Sequence, residues 1–115
     1  MKKILITGGS GYLGTSLALN LKKKYKVYLG SRNNYLNSKV QDLTKCETFP
    51  LDITNINSVK DIINRTKPNI IIHAAASKYV DISEINPNEC IDTNVLGSQN
   101  IARVAIDNKI TITHI

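Results

Sequence analysis

The sequence predicts an α/β protein, a doubly wound parallel sheet whose strands alternate with helices. Three observations predict it. Short apolar, β-branched runs alternate with segments of helical period along the whole chain. The run Asn69–His73 is continuously apolar at its centre, as in a strand covered on both faces. A glycine-rich turn joins the first strand to the first helix. Helical crossovers between short strands mean parallel pairing, and such crossovers are right-handed. The expected strand order is 3-2-1-4-5.

Each element has its own signal. Lys2–Thr7 is β-branched and stops at glycines, so it is a strand. Tyr12–Lys24 places Leu13, Leu17 and Leu21 on one helical face. Lys26–Gly30 is the second strand. Asn33–Lys45 is polar and reads equally as a loop or as a weak helix over Leu36–Leu43. Thr48–Asp52 is a short extended segment, which Pro50 confines to an edge or a strand start. Asn55–Thr66 carries an apolar stripe of Ile56, Val59, Ile62 and Ile63, and Lys67-Pro68 ends it. After the strand Asn69–His73, three start signals agree. Asn86 suits the N-cap, Pro87 the first helical position and Glu89 a capping box. That helix is expected to reach Asp107, with Asn108 as its cap, before a last strand at Ile110–Ile115.

Composition narrows the function classes. The chain has 115 residues, 42% apolar and 21% charged, which suits one domain over 1–115 and argues against disorder. No apolar run approaches the roughly 20 residues of a membrane span, and no signal peptide is visible. Cys46 and Cys90 lie far apart, so neither a disulfide framework nor a metal site is expected, and both read as reduced thiols of a cytoplasmic protein. The net charge of +6 raises nucleic acid as a partner. Its dense cluster, Lys22 to Lys26, falls at a predicted helix end where cations complement the dipole, so no nucleic-acid partner is expected.

The turn Thr7–Gly14 (TGGSGYLG) carries the chemistry. A pyrophosphate must approach backbone N–H groups at a helix N-terminus, and side chains would block it. Without a ligand the same residues would be only a tight strand-to-helix turn. The second strand ends in Gly30-Ser31-Arg32, where binders of NAD place a carboxylate. Arg32 offers a guanidinium for a 2′-phosphate and Ser31 a hydroxyl, which favours NADP over NAD. The plainer reading of Arg32 is a surface arginine.

Together, ITGGSGYLG, GSR, LDIT, PNIIIHAAASKYV and NPNECIDTNVLGSQNI span nearly the whole chain. This set resembles the extended short-chain dehydrogenase/reductases, the nucleotide-sugar epimerases and dehydratases on a Rossmann-type sheet. HAAASKYV with NPNECIDTNVLGSQN looks most like the polysaccharide-biosynthesis UDP-N-acetylglucosamine 4,6-dehydratase branch. LDITNINSVKDIINRTKPNIIIHAAA also looks like dTDP-4-dehydrorhamnose reductases.

The resemblance implies roles residue by residue. Gly8, Gly11 and Gly14, with the amides of Tyr12 and Leu13, would hold the pyrophosphate. Ser31 and Arg32 would hold the 2′-phosphate. Asp52 and Ile53 would border the adenine. Ala74, Ala75 and Ala76 would leave room where cofactor and substrate meet, and Asn94 would line the back of the site. Lys78 would face the substrate cleft, or else be a solvated loop lysine. His73 reads as a strand-end histidine bonded to backbone rather than a catalyst.

The resemblance also implies what is not here. The family's Ser or Thr after the fifth strand and its catalytic Tyr-x-x-x-Lys lie beyond Ile115, so no catalytic residue is assigned. The sheet is expected to be cut after its fifth strand. Tyr35 and Lys39 match the spacing but follow the second strand, on the adenosine side. The expectation is an NADP-binding N-terminal portion of an enzyme acting on a nucleotide sugar. A non-catalytic dinucleotide-binding module is the other reading. A homo-oligomer is open, since extended members often pair through helices that include Asn86–Asp107.

Overall fold

The computed structural model describes residues 1–8, 12–32, 34–74 and 87–114, without the side chains of 12, 34, 87–95 and 114. Its elements are β1 (Lys3–Thr7), α1 (Tyr12–Leu21), β2 (Lys26–Ser31), α2 (Asn34–Thr44), β3 (Glu47–Pro50), α3 (Ile56–Thr66), β4 (Ile70–His73), α4 (Pro87–Asp107) and β5 (Thr111–His114). Among the described residues they form one five-stranded sheet in the order β3-β2-β1-β4-β5. All pairings are parallel, with Ile4 opposite both Val27 and Ile70. β3, which carries Pro50, is an edge strand as that proline requires.

Both faces of the sheet are covered. In β1 alternate side chains point to opposite faces. Leu5 joins one layer with Ile53, Ile62, Ile71, Ile101 and Val104, beneath α3 and α4. Ile4 and Ile6 join the other with Ala18, Val27, Leu29 and Val40, beneath α1 and α2. Each fully buried Leu or Ile contributes about 1.5–3 kcal/mol.

Several boundaries move, for local reasons. On α1, Gly14 and Ala18 are buried while Leu13, Leu17 and Leu21 are half-buried. Small residues therefore face the sheet, and the leucines flank the contact. The helix stops at Leu21, leaving Lys22–Lys24 in the turn. The ambiguous stretch after β2 is a full helix. Its buried positions, Asn37, Val40 and Thr44, are mostly polar, so no apolar stripe is visible. Thr44 satisfies itself by donating to the Val40 carbonyl at 2.7 Å. Asn55 caps α3 by accepting from the amides of Asn57 and Ser58. At the end of α4 the left-handed residue is Lys109 (φ 56°) rather than Asn108. Bonds from Lys109 N to Ile106 O and from Ile110 N to Ala105 O complete a Schellman motif there. Asn86 lies outside the described residues.

Candidate functional site

The strand order reverses between β1 and β4, and ligands of open α/β sheets bind at the carboxyl edge of such a point. Gly8 leaves β1 there with φ 73°, a backbone conformation open mainly to glycine. Its N–H donates to the Gly30 carbonyl at 2.8 Å, so this amide locks the turn to β2 and is spent within the protein. Ala74 N–H donates to the Thr7 carbonyl at 3.1 Å and locks the same turn to the end of β4. The amides that open α1 at Tyr12 and Leu13 have no intrahelical acceptor, by helix geometry. The first turn of α1 carries no acidic residue to oppose an anion. This edge therefore fits a dinucleotide pyrophosphate. Gly11 lies outside the described residues.

On the β2 side, Arg32 is exposed just past the strand. Ser31 is half-buried, and its hydroxyl donates to Asn37 Oδ1 at 2.8 Å. The Asn37 amide in turn donates to the carbonyls of Ser31 (3.0 Å) and Phe49 (3.3 Å). One buried asparagine thus ties the ends of β2 and β3 together. Ser31 has a single proton. It must turn away from Asn37 before it can donate to a phosphate. Gly30 is needed for packing: a Cβ there would lie 2.7 Å from Leu51 Cδ2.

The segment after β3 is fixed from two directions. Asp52 Oδ1 accepts from Thr54 N (3.0 Å) and Thr54 Oγ1 (2.6 Å), which closes a tight turn. Among the described residues Asp52 Oδ2 has no donor, so the carboxylate keeps capacity to accept. Ile53 is buried against α4, where a Cβ on Gly97 would overlap its side chain. Asn100, also on α4, donates to the Ile53 carbonyl at 2.9 Å. α4 thereby also holds the turn that follows β3.

His73 is buried at the end of β4. Its Nδ1 lies 2.7 Å from Thr7 Oγ1 and its Nε2 lies 3.1 Å from Ser98 Oγ. The expectation of a bonded strand-end histidine stands, and the two described ring partners are side-chain hydroxyls. They join β1, β4 and α4 beside Ala74, which is itself buried. Ala75, Ala76 and Lys78 lie outside the described residues, and Asn94 is placed on α4 by its backbone alone. Tyr35 is two-thirds exposed on α2, with Lys39 Nζ 4.7 Å from its ring centre. That places the pair on the β2–β3 crossover, away from β4. Sequence reading missed Asn37, Ser98, Asn100 and the packing roles of Gly30 and Gly97. Only Gly97 carries a signal, since a glycine inside a helix costs about 1 kcal/mol and calls for a reason.

Known proteins share this pattern. The model of the NAD dependent epimerase/dehydratase family matches residues 4–115. The capsular polysaccharide biosynthesis protein CapD of Staphylococcus aureus is 32% identical over 96% of this chain and 20% of its own length. A UDP-N-acetylglucosamine 4,6-dehydratase (inverting) of Campylobacter jejuni is 32% identical over 93% of this chain and 33% of its own. A dTDP-4-dehydrorhamnose reductase of Aggregatibacter actinomycetemcomitans is 36% identical over 100% of this chain and 34% of its own. The X-ray structure of Pen from Bacillus thuringiensis superposes with a TM-score of 0.87 at 32% identity, over 98% of this chain and 36% of that one. The chain spans from a fifth to about a third of the length of these curated relatives.

Proposed function

The chain belongs to the NAD dependent epimerase/dehydratase family, and from that premise we propose that it is the NADP-binding N-terminal portion of a nucleotide-sugar 4,6-dehydratase serving surface-polysaccharide synthesis. The observation that carries the cofactor choice is the end of β2. An exposed arginine, Arg32, stands there and no carboxylate does. A guanidinium pairs with a 2′-phosphate, whereas a carboxylate would repel it and accept from a ribose hydroxyl instead. In this reading Gly8, Gly11 and Gly14 shape the turn, and the amides of Tyr12 and Leu13 receive the pyrophosphate. Asp52 Oδ2 accepts from the adenine amino group, with Ile53 beside it. Ala74, Ala75 and Ala76 clear space for the nicotinamide, with Asn94 behind it and Lys78 toward the sugar. The bound cofactor supplies hydride transfer at the sugar. The dehydratase and polysaccharide assignments are supported by the likeness to CapD and to the Campylobacter dehydratase. A second reading, a sugar-nucleotide reductase, is favoured by the 36% identity to the Aggregatibacter enzyme.

Thermal shift tests the cofactor choice. NADP raises the melting temperature more than NAD does, and Arg32→Ala removes the difference. Equal shifts in the unaltered protein would refute the NADP assignment. Product analysis of the complete polypeptide with UDP-N-acetylglucosamine and with dTDP-4-dehydrorhamnose separates dehydratase from reductase.

A further inference from the structure

In a parallel sheet every helix returns to the amino edge, so the loops entering all strands lie side by side there. In this molecule each strand is entered through a lysine. Along the order β3-β2-β1-β4-β5 they are Lys45, Lys26, Lys3, Lys67 and Lys109. All but Lys3 are exposed. At about 4.8 Å per strand the row is about 20 Å wide. Lys2 and Lys22–Lys24, all exposed, deepen it at the centre. Bonds from Lys26 N to Lys2 O (2.9 Å) and from Asn69 N to Lys3 O (2.8 Å) hold these entrances together.

Carboxylates offset little of this charge. Among the described residues, Glu47 meets Lys26 only at 4.0 Å, and Asp42, Asp61 and Asp107 are the other carboxylates toward these helix ends, Asp61 being paired with Arg65. Backbone preference does not explain the lysines either. Lys45, Lys67 and Lys109 hold left-handed backbone (φ 61°, 45° and 56°), the position after a helix that glycine or asparagine usually takes. Helix dipoles favour a cation at each of these ends. They do not account for Lys2, Lys3 and Lys26, which lie at strand starts.

We propose that this lysine edge docks the protein electrostatically on an anionic lipid surface. Lysine is a hydrated point charge suited to a diffuse negative surface. Nucleic acid is gripped by arginine and stacking aromatics. Among the described residues near this edge stand Arg65, already paired with Asp61 at 3.3 Å, and two half-buried tyrosines, Tyr25 and Tyr28, the latter covered by Lys26 Nζ at 5.6 Å and packed on Phe49. A second copy presenting the same edge is repelled by it. The opposite edge, with Gly8 and Arg32, faces away from the surface and stays open. The proposal is independent of the cofactor reading.

The test is sedimentation of the complete polypeptide with vesicles of phosphatidylcholine, with or without about one-third phosphatidylglycerol, at about 50 and 300 mM salt. Binding is expected only to the anionic vesicles, and mainly at low salt. Each lysine near the surface is worth about fivefold in partitioning, so Lys45→Gly/Lys67→Gly/Lys109→Gly weakens binding about a hundredfold. Each of these positions has left-handed backbone that suits glycine, and the melting temperature checks that the variant is folded. Lys23→Glu/Lys24→Glu, in an exposed turn, weakens binding similarly. Equal sedimentation with neutral vesicles, no effect of either variant, or tighter binding to an RNA or DNA duplex under the same salt would each overturn the proposal.

Discussion

Among the described residues the carboxyl edge of the sheet is built mostly from uncharged groups, Gly8 in left-handed backbone, the first amides of α1 and the Asn37 and His73 networks, with the Asp52 carboxylate half-buried beside them. Arg32 is its main exposed charge among the residues singled out. At the amino edge the same helices end, and a lysine stands at or shortly before the start of every described strand. The difference follows from one property of helices. Their N-termini carry partial positive charge and receive anions through backbone, while their C-termini carry partial negative charge and tolerate cations. Parallel winding sorts all starts to one edge and all ends to the other. One edge can therefore be specific, and the other can be strongly charged without disturbing it.

Substitutions at each edge separate these roles. Gly8→Val forces a β-branched residue to φ 73° and should cost about 2–3 kcal/mol, with loss of cofactor binding. Denaturant unfolding and dinucleotide titration read the two effects; a stable variant that still binds would remove Gly8 from the account. Asn37→Ala removes three hydrogen bonds from the ends of β2 and β3 and should cost about 1–3 kcal/mol. It should also narrow the gap between NADP and NAD affinity, because Ser31 and Arg32 lose their fixed base. Gly97→Ala should cost about 1–2 kcal/mol, overlap with Ile53 outweighing the helical gain. An unchanged stability would mean that α4 does not press on the turn after β3. Lys67→Gly acts at the other edge with the opposite sign and should stabilise by about 0.5–1 kcal/mol, with cofactor affinity unchanged. A drop in cofactor affinity there would break the separation of the edges.

Much of the architecture was legible because it rests on local pattern. The apolar centre of β4 and the stripe of α3 each follow from a few neighbouring residues, whereas the cap at Asn55, read as the first residue of that helix, emerged only in the fold. α2 was not legible, because Asn37 and Thr44 are buried by hydrogen bonding rather than by apolarity. The turn at Gly8 could be read, since its signal lies in adjacent residues. The link from Asn100 to Ile53, 47 positions apart, and that from Thr7 to His73, 66 apart, required the fold. So did the lysine row, whose members look like unrelated helix ends and strand starts until the strand order aligns them.

The end of β2 is proposed to read a 2′-phosphate. Calorimetric titration with adenosine 2′,5′-bisphosphate and with 5′-AMP isolates that group from the nicotinamide half. A charge-assisted guanidinium–phosphate pair contributes about 1.5–3 kcal/mol, so the bisphosphate should bind about 10- to 100-fold tighter. Arg32→Ala should bring the two affinities together. Equal affinities in the unaltered protein, or a preference that survives Arg32→Ala, would contradict the account.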